Sequence, residues 1–166
     1  VPEISVFEFG VAGGGGLVAL QTCAALVEQE TGVKIRVFGF DTGEGLPNLN
    51  NDYRDHPDQW RASDYRMDVP KLQQRLSSRT ELRLGKIADT LPKFVAENPP
   101  PTGFVACDVD LYSSTKDMLR ILTLPGSRML YRTFMYFDDI DLICNHLHAG
   151  ELLAIDEFNR SNPMIK

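Results

Sequence analysis

A chain of 166 residues, 43% of them hydrophobic, is long enough for one domain with a full core and short for two, so residues 1–166 are expected to form a single domain. A formal net charge of -6 and a pI near 5.0 argue against nucleic acid or an anionic membrane as the main partner, because neither attracts a net acid. No apolar run is long enough to span a bilayer, the first residues lack a secretory signal pattern, and Cys23, Cys107 and Cys144 form no CxxC pair, so the expected setting is the cytoplasm and the expected partner a small molecule.

The chain enters a buried strand at once, with Ile4, Val6 and Phe7, and runs into EFGVAGGGG at residues 8–16. An Ala/Leu-rich helix follows over residues 17–30, closed by Gly32 in a position that suits a helix C-cap. A second strand, KIRVFGFD, ends at Asp41. The next stretch, to Asp68, is long, polar and aromatic, and loops of that kind are usually functional or mobile, so residues 48–64, with Tyr53, His56 and Trp60, are read as a lid.

A short helix beginning at Val69-Pro70 comes next, then a third strand, TELRLGKI, and a helix expected to be capped by Asp89 or Thr90. GFVACDVD is a fourth strand with acids only at its carboxyl end, and Ser114 opens a capping-box pattern with Asp117. RMLYRTFMYFDD reads as the fifth strand and GELLAIDEFNRSN as the last helix. Strands alternating with helices predict an α/β fold: a doubly wound, mostly parallel sheet with helices on both faces. Val1 in place of Met, and an end at NPMIK where another strand could begin, suggest a fragment or trimmed form lacking terminal elements.

In such sheets ligands bind beyond the carboxyl ends of the strands, at the point where strand order reverses. Glu8 and Gly10, Asp41, Asp108 and Asp110, and Asp138 and Asp139 all fall at that edge. The glycine turn is no P-loop, since Leu17-Val18 stand where Lys and Ser or Thr are needed, and it misses the register of the dinucleotide fingerprint, which disfavours a nicotinamide dehydrogenase. An acid at Glu8 suits a positively charged ligand, and Asp41 is placed to accept the hydroxyls of a ribose. Asp108 and Asp110 share a side of their strand while Asp138 and Asp139 diverge, so three carboxylates can meet at one point and the fourth is left for a hydrogen bond. Carboxylates that close need a proton or a cation between them, and an all-oxygen set favours a hard ion such as Mg²⁺; the competing reading is that they cap helices.

E-F-G-V-x-x-G-G at residues 8–14, F-D-T-G-E-G-L-P at 40–47, Gly85 with D-T-L-P at 89–92, D-V-D-L-Y-S-S-T at 108–115 and F-D-D-I at 137–140 come in an order that resembles the class I S-adenosylmethionine-dependent methyltransferases. Among these the chain looks like the macrocin O-methyltransferase type, bacterial enzymes that methylate sugar hydroxyls. The resemblance implies an S-adenosylmethionine-dependent O-methyltransferase with a small hydroxylated acceptor, and leaves self-association open. It implies cofactor contacts at Glu8, Gly10, Gly13, Gly14, Asp41 and Asp89, and metal ligands at Asp108, Asp138 and Asp139, with Asp110 beside them. Asp108 and Asp110 are the expected catalytic acids, and His146, ahead of His148 and His56, is the candidate general base. Lys86-Ile87-Ala88 stand where the family often has aromatic residues. The alternative is a non-catalytic module that keeps the cofactor pocket.

Overall fold

The structure, a computed structural model, describes residues 1–49, 52–141 and 147–165. Five strands form one sheet in which every pair is parallel: β1 (Glu3–Phe9), β2 (Lys34–Asp41), β3 (Thr80–Leu84), β4 (Thr102–Cys107) and β5 (Met129–Phe137), in spatial order β3-β2-β1-β4-β5. The chain builds outward from β1 in one direction and then returns to build in the other. The order therefore reverses between β1 and β4, and the crevice beyond their ends is where the topology places a ligand. The predicted doubly wound α/β fold is the observed one.

Alternation along the strands sorts the core into two layers. Phe7, Phe9, Phe38, Phe40, Val105 and Cys107 point to one face, under α3 (Ile87–Ala96), α4 (Tyr112–Leu119) and α5 (Gly150–Ser161). Val6, Ile35 and Val37 point to the other, under α1 (Gly15–Thr31) and α2 (Val69–Gln73). On the first face Phe94 of α3 meets the rings of Phe7 and Phe40 edge-on, at 5.5 and 5.4 Å. This aromatic layer gives the central strands a rigid base, so the loops at their carboxyl ends start from fixed points.

Several element ends differ from the sequence expectation. β3 stops at Leu84, because Gly85 takes a φ of 133° that turns the chain. α3 begins at Ile87 behind an extended Lys86, with Asp89 already inside its first turn rather than at the cap. α4 begins at Tyr112, two residues before Ser114, and the expected capping box is not made. β4 ends at Cys107, so Asp108 and Asp110 lie on a turn and strand alternation does not govern them. No helix among the described residues is long and apolar enough to cross a membrane.

Candidate active site

A cavity of 570 Å³ opens at the carboxyl edge of the sheet, walled by Gly10, Ala12, Asp41, Gly85, the acidic turn after β4, and Trp60 and Tyr65 of the long loop. Its floor is the β1/β4 crevice. The Asp108 amide donates to the Phe9 carbonyl and the Gly10 amide to the Phe40 carbonyl, so three strand ends are tied together there. A Cβ on Gly10 would lie 1.6 Å from the Asp108 carbonyl oxygen, which with its φ of 83° leaves no residue but glycine at that point.

Asp41 braces the glycine turn. Its Oδ2 accepts the amides of Val11 and Ala12 at 2.8 and 2.9 Å, and its Oδ1 that of Gly43 at 2.7 Å. The carboxylate thus holds the β1 and β2 turns in one arrangement while bordering the cavity. Glu8 sits one layer behind the wall, 7% exposed, and the start of α1 passes so close that a Cβ on Gly16 would be 1.9 Å from its Oε1. Burial first, then the negative charges of Asp108 and Asp41, push its carboxyl up to about 8, and Oε2 has no hydrogen-bond partner.

The other predicted cofactor residues separate. Gly13 is exposed, with its carbonyl accepting from Arg75, and Gly14 turns away from the cavity against Leu72 at a φ of 77°. Asp89 is exposed on α3 and does not border the cavity.

The acidic turn converges as expected, with one exchange of members. Asp108, Asp110 and Asp139 each place an oxygen within 4.8 Å of the others. Asp138, expected among the ligands, also borders the cavity, but it accepts the Tyr136 hydroxyl at 2.5 Å and lies outside this trio, where Asp110 stands instead. Asp110 has a φ of 58°, in the left-handed region, and Asp139 is buried at the start of a short helical turn. Burial, then Asp138 and Asp139, push Asp108 up to about 6; burial, then Asp139 and Asp108, push Asp110 up to about 7. Burial and then Asp138 raise Asp139 too, and its Oδ2 is buried without a hydrogen-bond partner. Three oxygen donors, one of them orphaned, with proton affinities raised in part by mutual repulsion, fit a hard divalent cation.

Of the histidines, His56 is buried inside the long loop and His148 is exposed, and neither borders the cavity; His146 lies outside the described residues. The loop itself is fastened at two places. Asp55 accepts the Ser113 amide at the start of α4, and Arg54 donates to the Tyr112 hydroxyl at 2.9 Å with its guanidinium 4.3 Å above that ring. Tyr112 in turn donates to Glu157 of α5 at 2.7 Å. Further on, Leu46 exchanges backbone hydrogen bonds with Ser63 and Asp64, setting Trp60 and Tyr65 against the cavity with their rings 6.1 Å apart.

Tyr65, Asp55 and Glu151 were not legible as site residues. Glu151 alone left a signal: it is an acid three residues before the buried Ala154 and seven before the core-packed Phe158, on the apolar face of α5.

With this geometry in view, comparison with solved structures gives the class. The fold is that of the class I methyltransferases. The crystal structure of CalS11, a calicheamicin methyltransferase, superposes with a TM-score of 0.70 at 23% identity, over 92% of this chain and 63% of that one. The apo structure of CalS11, described as a TDP-rhamnose 3'-O-methyltransferase of calicheamicin biosynthesis, gives a TM-score of 0.60 at 25% identity, over 92% and 61%. The O-methyltransferase NovP gives 0.66 at 19% identity, over 97% and 65%. The chain thus spans less than two thirds of the length of each of these proteins. No protein-family profile and no curated protein sequence matches it.

Proposed function

We propose that this protein is an S-adenosylmethionine-dependent O-methyltransferase acting on a hydroxyl of a sugar or other small natural product in the cytoplasm, with a divalent cation at the aspartate trio. The observation that carries the reading is the meeting, in one cavity, of a glycine turn braced by Asp41 with the trio Asp108, Asp110 and Asp139. The likeness to CalS11, described as a sugar-nucleotide O-methyltransferase, supports it.

S-adenosylmethionine supplies an electrophilic methyl on a sulfonium, and the cation, when bound, lowers the pKa of the acceptor hydroxyl. The residues of this chain do the rest. Gly10 lets the ligand reach the backbone, and Asp41, beside it, is placed to accept ribose hydroxyls at the rim of the turn. Gly13 and Gly14 shape that turn from outside the cavity. Glu8, held neutral by burial, is a reserve of negative charge that a cationic ligand would call out. Asp108, Asp110 and Asp139, which all border the cavity, would hold that cation, and an Asp110 oxygen left outside its shell would accept the proton of the acceptor hydroxyl. Trp60 and Tyr65 close the outer wall and exclude water.

Calorimetry with S-adenosylhomocysteine and NAD, followed by a turnover assay with Mg²⁺ and a panel of sugar nucleotides, tests the reading. Binding of S-adenosylhomocysteine alone, with formation of that product during turnover, is expected. Binding without turnover on any hydroxylated acceptor would leave a binding module, and preference for NAD would overturn the reading.

A further inference from the structure

Glu151 is fully buried, yet no step of the proposed reaction uses it. It stands in the first turn of α5 and accepts the Cys107 thiol at 3.3 Å on Oε1, directly beneath the point where β4 gives way to Asp108. Its helix also packs against the short helical turn that carries Asp139, and burial above all pushes its carboxyl up to about 7, with the Cys107 hydrogen bond acting the other way. Oε2 makes no hydrogen bond. Glu151 is thus bonded to the residue just before Asp108, on a helix that packs against the turn of Asp139. Packing alone would favour an apolar side chain at a fully buried position of a helix, because a buried carboxyl is costly without full compensation.

We infer that Glu151 is a positioning residue that joins the two turns and sets the spacing of Asp108, Asp110 and Asp139. The inference rests on the metal reading given above. Groups that orient a metal's direct ligands typically change its affinity by about 10- to 100-fold when removed, and Glu151 is placed to act in that way.

The test is Mn²⁺ titration of the full chain, followed by electron paramagnetic resonance, for the parent, Glu151→Ala and Glu151→Gln, with S-adenosylhomocysteine affinity and thermal melting measured alongside. Glu151→Ala is expected to weaken Mn²⁺ binding about tenfold or more and leave S-adenosylhomocysteine binding unchanged. Glu151→Gln, whose amide oxygen still accepts from Cys107, should recover most of the loss. A folded Glu151→Ala that binds Mn²⁺ like the parent overturns the inference, and so does equal loss of both ligands, which marks a merely structural role. Should that variant not fold, Glu151→Asp, which draws the carboxylate back by one methylene, takes its place under the same criteria. A parent that holds no Mn²⁺ at millimolar concentration overturns the metal reading and this inference together; a parent that binds, with indifferent variants, overturns the inference alone.

Discussion

The carboxylate of Asp55 caps a helix that begins more than fifty residues later: its Oδ1 accepts the amide of Ser113, in the first turn of α4, at 2.8 Å. Asp55 is 4% exposed and belongs to the loop that carries Trp60, so this hydrogen bond, beside the Arg54 contact with Tyr112, fastens the wall of the cavity to the helix behind the acidic turn. Asp55→Ala leaves a helix N-terminus without its acceptor, and loss of about 1–2 kcal/mol of stability is expected. Because the loop is then held to α4 by Arg54 alone, acceptor KM should rise more than the dissociation constant of S-adenosylhomocysteine. Equal change in both would show that the loop belongs to the cofactor side.

Asp41→Ala removes the acceptor of three backbone amides as well as the group offered to ribose. Binding of S-adenosylhomocysteine should weaken by roughly 1.5–3 kcal/mol, the range for a hydrogen-bonded charge. Asp41→Asn keeps part of the turn and should lose less. Calorimetry on folded variants decides, and an unchanged affinity would remove Asp41 from the site.

Stability should fall as pH rises above the usual carboxyl range. The Glu8 carboxyl titrates at about 8 in the fold and near 4.5 when unfolded, so between these values the unfolded chain binds fewer protons and gains relative to the folded one. The penalty is absent well below pH 4.5, grows to about 3 kcal/mol at pH 7 and keeps growing to about pH 8. Glu8→Gln should therefore match the parent in thermal melts near pH 4.5 and exceed it near pH 7 to 8. A constant difference across that window would show that Glu8 is ionised in the fold.

The trio has the same sign, since Asp108 and Asp110 are raised to about 6 and about 7. A cation that neutralises them should flatten the upper part of the pH profile, so Mg²⁺ is expected to raise the melting temperature more at pH 8 than at pH 5. EDTA should abolish methyl transfer while leaving S-adenosylhomocysteine bound.

Asp139→Asn should copy the effect of EDTA, whereas Asp138→Asn should cost less, because Asp138 is turned to Tyr136. Measuring Mn²⁺ affinity of the two variants ranks them. The reverse order would restore Asp138 as a ligand.

Local chemistry in the sequence determined a good part of this protein. Alternating apolar strands and helices, a glycine turn after β1, and acids at strand ends sufficed for a parallel α/β sheet and for the edge that carries the site. They sufficed because hydrophobic period and turn residues act over a few neighbours, and the crossover rule turns their order into topology. What lay beyond reach was every relationship set by backbone turns or by distant partners. That Asp110 rather than Asp138 joins Asp108 and Asp139 was set by the turn after β4, where Asp110 takes a positive φ that no spacing rule encodes. The cap that Ser114 was expected to start comes instead from Asp55, brought there by the packing of the long loop on α4 and α5. Gly13 and Gly14 look like Gly10 in the sequence, but only Gly10 meets the Asp108 carbonyl, because strand pairing between β1 and β4 decides which glycine faces the crevice.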